Sequence, residues 1–379
     1  MSGWRFFRIF ITEIFNQGIL RRGFFNGTIG IMDSLLQAFS MYMTYVRVWE
    51  LLSVDVFVDS HLEEIGVEKI IEKIQKLHDL DLSRVNFIKA PIGKGSSFLN
   101  RLLYLRKYDV LFFLTDGSYF YSTAKKSIIH LQSPIKNLNQ HWWAKFKLSS
   151  WDEIIYNSKF TMDEAMKSWG LMGKVIYPPV DVSKFKPLKK KHQILSVGRF
   201  FGYLRDKKHE LIIDAFKKLV NENNLKNWSL YLVGGSGEGD KEYLDELNKK
   251  ANGLNIFLHP NLPFNELKKL YGESKIYWHA TGFGETDPTK MEHFGITTVE
   301  AMASGAIPVV INLGGQREIV ENGKLGYLWN SPEELIFYTM ELIGSKKLME
   351  DFSKEAVKKS KIYSKEQFSK EIKEIVNGN

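Results

Sequence analysis

The feature that most constrains this chain is an alternation of short apolar runs with amphipathic segments that is played twice and broken once. Residues 29–32, 54–58, 85–88, 108–114, 127–130 and 153–157 are apolar runs of strand length, and residues 67–77 carry helical spacing between two of them. The pattern breaks at Tyr177-Pro178-Pro179-Val180-Asp181 and the basic, Pro187-interrupted stretch 184–191, which reads as an interdomain linker. It then restarts, with strands at 194–197, 230–233, 256–258, 276–278 and 307–311 and helices at 209–220, 241–251, 265–271 and after Glu292. Strands separated by helices pair in parallel through right-handed crossovers. The expectation is an α/β protein of two doubly wound, Rossmann-like domains, residues 1–185 and 186–379, facing each other across a ligand cleft. The charged amphipathic helices of residues 331–379 cover the second domain or cross back to the first.

Composition removes whole classes of chemistry. With no cysteine there are no disulfides, thiolate metal sites or cysteine nucleophile, and the chain is compatible with the cytoplasm. A formal net charge of +8 favours phosphate-bearing ligands or an anionic membrane. Basic and aromatic residues are scattered, which disfavours nucleic acid, and no histidine and carboxylate set has metal-ligand spacing.

Four places could carry chemistry. Glu292 and Glu300 bracket His293-Phe294-Gly295-Ile296-Thr297-Thr298-Val299, and Ala301-Met302-Ala303-Ser304-Gly305 follows; glycine, threonines and a Gly stop prepare a helix N-terminus for an anion. Thr297 and Glu300 also have capping-box spacing, so Glu300 reads equally as a residue folded back on its own helix. Arg199 lies just past a buried strand, and Lys207 and Lys208 open the next helix; cations there oppose the helix dipole unless an anion is near. That loop is an anion site or a solvated basic turn. Gly234-Gly235 after a strand resembles a phosphate loop only loosely, and His130 ends a first-domain strand as either a site residue or a structural one.

Taken together and in order, Tyr177-Pro178-Pro179-Val180-Asp181 with Phe185, Ser196-Val197-Gly198-Arg199, Lys207 with His209, Leu232-Val233-Gly234-Gly235, the Glu292 to Gly305 run and Gly314-Gly315 resemble the retaining glycosyltransferases of family 4, glycosyl transferases group 1. The resemblance implies the GT-B fold and transfer of a hexose, mannose favoured, from a GDP- or UDP-linked donor to a lipid-linked or polysaccharide acceptor, without bound metal or other cofactor. It implies that Arg199 and Lys207, with Lys208 as alternative, take the donor diphosphate. Glu292 and His130 would face the donor sugar, amides of Phe294, Gly295, Ile296 and Thr297 with Gly234 and Gly235 would line the donor site, and Glu300 would hold the ribose. One departure stands out: the Gly-rich loop usual after the first strand is replaced by Ser34-Leu35-Leu36-Gln37-Ala38-Phe39-Ser40. That departure motivates a second reading, a non-catalytic GT-B module that binds a nucleotide sugar or scaffolds an assembly.

Residues 4–22 mix Trp4, Phe6 and Phe7 with Arg5, Arg8, Arg21 and Arg22, and read as a helix lying on an anionic membrane or packed on the first domain. Residues 23–46 are long enough to span a bilayer, but Asn26, Thr28, Ser34, Gln37 and Ser40 dilute them. The expected location is cytoplasmic, peripheral at the inner face of the membrane.

Overall fold

The computed structural model describes residues 54–58, 66–78, 82–83, 85–91, 97–115, 118–134 and 142–377. The expected strand at 29–32, the atypical loop after it and the amphipathic stretch 4–22 lie outside the described residues. The chain folds into two compact units, one of residues 1–156, 165–179 and 368–379, the other of residues 157–164 and 180–367.

In the first unit, β1 (Val54–Val58) pairs in parallel with β2 (Val85–Lys89), with α1 (Val67–His78) between them in sequence. A second parallel sheet has the order β3 (Val110–Thr115), β4 (Lys126–Leu131), β5 (Glu153–Tyr156), β6 (Lys174–Val175). Helices α2 (Phe98–Leu105), α3 (Trp142–Leu148) and α4 (Lys159–Trp169) connect these strands. Strand β4 is buried from Ser127 to Leu131, because an interior strand of a parallel sheet is covered on both faces. Its Ile128 packs with Ile155, Ile176 and the Phe368, Ile372 and Ile375 stripe of the C-terminal helix. That helix belongs to the first unit from Phe368 onward.

The second unit is built on one six-stranded sheet of order β12-β11-β10-β7-β8-β9, every neighbour parallel. Its strands are β7 (Lys191–Val197), β8 (Ser229–Gly234), β9 (Ile256–Pro260), β10 (Ser274–His279), β11 (Ile307–Ile311) and β12 (Tyr327–Trp329). The crossovers are α5 (His209–Asn223), α6 (Lys241–Ala251), α7 (Phe264–Glu273), α8 (Ile296–Ala303) and α9 (Gln316–Ile319), and α10 (Pro332–Gly344), α11 (Lys346–Ser360) and α12 (Lys365–Asn377) close the chain. Helix α5 buries His209, Ile212, Ile213, Phe216, Leu219 and Val220, a 3.6-period stripe against Leu230, Leu232, Ile276 and Trp278. Each such fully buried large side chain contributes about 1.5–3 kcal/mol.

The basic stretch before β7 differs from a solvated linker. Lys190 is turned inward, donating to the Ser274 and Ser304 carbonyls at 2.8 and 2.7 Å, and burial pushes its pKa down to about 7. No helix among the described residues is long and apolar enough to cross a membrane.

Candidate active site

Strand order decides where a ligand can enter the second unit. From β7 the sheet grows through β8 and β9 on one side and through β10, β11 and β12 on the other, so the loops leaving β7 and β10 diverge and leave a crevice at the carboxyl ends of the two strands. Val197 leads into Gly198-Arg199 on one side of this switch point, and His279 ends β10 on the other.

The β7 loop is held by backbone bonds that continue past the strands: Gly198 N–H donates to Val233 O and Phe200 N–H to Gly235 O, both at 2.8 Å. A Cβ at Gly234 would stand 1.9 Å from Gly198 O, and one at Gly198 would stand 2.7 Å from Lys207 Cγ. Both positions therefore need glycine to let loop and lysine stem approach. Arg205 and Lys208 adopt left-handed backbone, with φ of 46° and 54°. Lys207, between them, brings its Nζ 3.2 Å from Glu292 Oε2 and 3.7 Å from Asp206 Oδ2. Arg199 Nη2 lies 3.8 Å from that same Asp206 oxygen.

Glu292 is the centre of this group. His279 Nε2 lies 3.1 Å from Glu292 Oε2, and beside a carboxylate that nitrogen carries the proton and donates. Burial works against ionising Glu292, but Lys207, the His279 hydrogen bond and the nearby His279 and His293 rings hold its carboxyl well below the usual range. Its backbone is fixed from behind: Gly315 N–H donates to Glu292 O at 2.8 Å, and a Cβ at Gly314 would meet that oxygen at 2.2 Å.

The helix that follows starts differently from its capping-box spacing. Gly295 is the N-cap, with φ of 123° that an L side chain rarely adopts, and Thr298 and Val299 N–H donate to its carbonyl. Thr297 instead shares a 2.7 Å hydrogen bond with the Tyr277 hydroxyl, and Glu300 Oε2 accepts from Tyr271 OH at 2.8 Å. The Thr297–Glu300 capping box is absent because both side chains are drawn to tyrosines of the preceding helix and strand. Burial lifts the Glu300 pKa, and although the Tyr271 hydrogen bond opposes it, the outcome is about 7. The amides of Ile296 and Thr297 belong to the first helical turn, which lacks intrahelical acceptors, and the dipole adds positive potential there. Phe294, directly before, is buried against Tyr363 at 5.4 Å. The helix ends at Gly305, with Gly305 N–H to Met302 O and Ala306 N–H to Ala301 O forming a Schellman cap.

Arg199, Lys207, Glu292 and the start of α8 thus lie around the carboxyl ends of β7 and β10. Lys208 points to a different partner, Glu285, at 2.8 Å. Gly235 stands beside Asn261, which accepts from Ser236 N–H at 3.0 Å. His130 belongs to the first unit, buried next to the end of β4 and stacked on Phe112 at 5.9 Å; burial pushes its pKa down to about 3, so the ring is neutral. Asp206, Tyr271, Tyr277 and His279 escaped the sequence reading. His279 had the same strand-end signal as His130, and Asp206 directly precedes Lys207, but the two tyrosines reach their partners only through tertiary packing.

The model of glycosyl transferases group 1 matches residues 180–359. The GDP-Man:Man(3)GlcNAc(2)-PP-Dol alpha-1,2-mannosyltransferase of Homo sapiens is 32% identical over 221 residues, 52% of this chain and 43% of that protein. The alpha-1,3/1,6-mannosyltransferase ALG2 of Dictyostelium discoideum is 27% identical over 214 residues, 47% of this chain and 49% of that protein. The chain therefore spans less than half the length of these curated relatives. Among solved structures, a glycosyltransferase from Rickettsia africae is similar with TM-score 0.68 at 15% identity, over 90% of this chain and 93% of that one. Anabaena Alr3699/HepE in complex with UDP is similar with TM-score 0.65 at 16% identity, over 90% and 96%. This likeness gives the fold, the GT-B type with parallel-sheet α/β units.

Proposed function

We propose that this chain, whose residues 180–359 form a glycosyl transferases group 1 domain, is a retaining glycosyltransferase that moves mannose from a GDP-linked donor to a lipid-linked glycan. The observation that carries the reading is the Lys207, Glu292 and His279 cluster at the switch point, beside the start of α8. The relatives named as GDP-mannose-dependent enzymes acting on dolichol-linked glycans favour that donor and acceptor over UDP-sugars and polysaccharides.

In this reading Arg199 and Lys207 bind the donor diphosphate, with first-turn amides of α8 as further donors. As the bond from the anomeric carbon to the diphosphate oxygen breaks, charge builds on the leaving phosphate, and these fixed cations stabilise that state more than the ground state. The acceptor hydroxyl bonds to the anomeric carbon on the face the diphosphate leaves, and its proton goes to a diphosphate oxygen. Glu292 faces the sugar as a fixed anion, oriented by His279. Glu300 accepts from the ribose hydroxyls, and Gly234 and Gly235 let backbone approach the nucleoside. The nucleotide sugar is the co-substrate, and no metal or cofactor is required. A lipid-linked acceptor places the work at a membrane, with residues 4–22 as a peripheral contact on the cytoplasmic face.

Purified protein incubated with GDP- and UDP-sugars tests this. GDP-mannose should raise the melting temperature most and be turned over, and Arg199→Ala and Lys207→Ala should lose nucleotide diphosphate binding while Lys208→Ala keeps it. Absence of transfer or hydrolysis of every donor, together with wild-type binding by both variants, would overturn the reading.

A further inference from the structure

Outside the sugar-transfer site, the first unit exposes an apolar face that its own core does not use. Helix α2 turns Leu105 inward and leaves Leu99 and Leu103 each 67% exposed and Phe98 46% exposed. Helix α3 buries Ala144 and Leu148 while Trp142, Trp143 and Phe146 remain 60%, 45% and 44% exposed. Six large apolar side chains on two short helices form a surface of the kind that marks an interaction site.

The two helices act on one surface because both lean on the segment between β3 and β4. Arg101 of α2 lies over Phe120 at 5.4 Å, Phe146 of α3 stacks on Tyr121 at 4.8 Å, and Lys147 approaches the Tyr119 ring at 5.9 Å. Burial lowers the pKa of Arg101 and of Lys147, and the field of Arg101 lowers Lys147 further, so the two cations are close and partly desolvated. Arg101 Nε has no hydrogen-bond partner among the described residues. Residues 97–107 and 142–151 contain Arg101, Arg106, Lys107, Lys145 and Lys147 and no Asp or Glu.

We propose that α2 and α3 form a membrane-docking face that takes an anionic lipid surface, with the Trp142, Trp143, Phe146, Leu99 and Leu103 side chains in the interface and Arg101, Lys145 and Lys147 at the phosphate level. Tryptophan and phenylalanine beside lysine is the composition that settles at the boundary of headgroups and acyl chains, and cations with no carboxylate partner among the described residues gain from anionic headgroups. Charge argues against other occupants. Residues 1–25 carry Arg5, Arg8, Arg21 and Arg22 against Glu13, so they are repelled by this face and attracted to the same lipid. A second copy would bring two cationic faces together. This goes beyond the transfer reaction, because docking needs neither donor nor turnover.

The test is co-sedimentation of the full chain with vesicles of phosphatidylcholine alone or mixed with phosphatidylglycerol, without nucleotide. The protein should pellet with the mixed vesicles, and high salt should weaken the binding. A Trp142→Ser, Trp143→Ser, Phe146→Ser variant and a Lys145→Glu, Lys147→Glu variant should each lower the partition coefficient about tenfold or more, while both retain nucleotide diphosphate binding. Lys145→Glu alone, at an exposed helix position, should lower it about fivefold and guards against misfolding of the multiple variants. Wild-type pelleting by these variants overturns the proposal. So does complete loss of binding on Arg5→Glu, Arg8→Glu with the docking residues intact, or a lipid-free dimer that depends on Trp142 and Trp143. Failure here leaves nucleotide binding and transfer intact, so it is distinguishable from failure of the transferase reading.

Discussion

Glu292 and Glu300 stand at the two ends of one nine-residue run, and both are half-buried, yet their carboxyls are driven in opposite directions. At Glu292 the burial cost is overcome by Lys207 at 3.2 Å and His279 at 3.1 Å, and the group stays ionised. At Glu300 burial wins, because the hydrogen bond from Tyr271 is neutral and no cation among the described residues is paired with it, and the pKa reaches about 7. Partners, more than burial, decide which carboxylate is a fixed charge and which is open to titration by a ligand. The two ends also differ in their effect on stability. The depressed Glu292 stabilises the fold above its ordinary value of 4.5, and that contribution is lost as pH falls through its folded pKa. Glu300 holds a proton in the fold that the unfolded chain has released, so its contribution is present below 4.5 and is lost as pH rises through about 7.

Removing the cation breaks the contrast most severely. Lys207→Ala leaves Glu292 with the His279 and His293 rings as its remaining stabilisers and removes a diphosphate ligand, so kcat for transfer should fall about a thousandfold. Its Glu292 pKa should also move up toward that of Glu300, measurable by carboxylate titration in the nuclear magnetic resonance spectrum of labelled protein; an unmoved Glu292 would show that Lys207 is not its main stabiliser. Glu292→Gln keeps the shape but cancels the charge, and should cost about a hundredfold in kcat with nucleotide diphosphate affinity retained. Loss of that affinity instead would make Glu292 an organiser of Lys207. His279→Gln keeps a donor but shifts its position, and a positioning role predicts about a thirtyfold drop in kcat with the donor KM unchanged.

Much of this arrangement was legible in the chain. Strand β11 and helix α6 fall on their expected bounds, because residues 307–311 are wholly apolar and residues 241–251 carry a clean helical stripe. The pairing of Lys207 with Glu292 joins two segments the sequence had singled out separately, 85 residues apart. The capping box failed for a physical reason: Gly295 takes a φ of 123° and caps the helix through its backbone, which frees Thr297 and Glu300 for Tyr277 and Tyr271. No local pattern announces a tyrosine on the neighbouring strand. Lys190 escaped the same way, since a lysine in a basic run reads as solvated and only the tertiary fold supplies the Ser274 and Ser304 carbonyls.

The smallest effect tests the titratable end. If Glu300 accepts from the ribose hydroxyls, the donor prefers its ionised form, and the free protein holds that group half protonated near pH 7. Affinity for the nucleotide sugar should then rise by up to about tenfold from about pH 6 to about pH 8, with a proton released on binding at the lower end. The intact nucleotide sugar is the right probe, because its diphosphate has no free terminal phosphate to titrate in this range. Glu300→Gln should bind more weakly than wild type at the upper pH, and its affinity should be flat across the window. Its melting temperature should also lose the fall that wild type shows as pH rises from about 4.5 to about 7. Calorimetry in buffers of different ionisation enthalpy reads the proton count directly. An unchanged slope in Glu300→Gln would assign the titration to another group and remove Glu300 from the ribose, leaving Glu292 as the one end of the run that serves the donor.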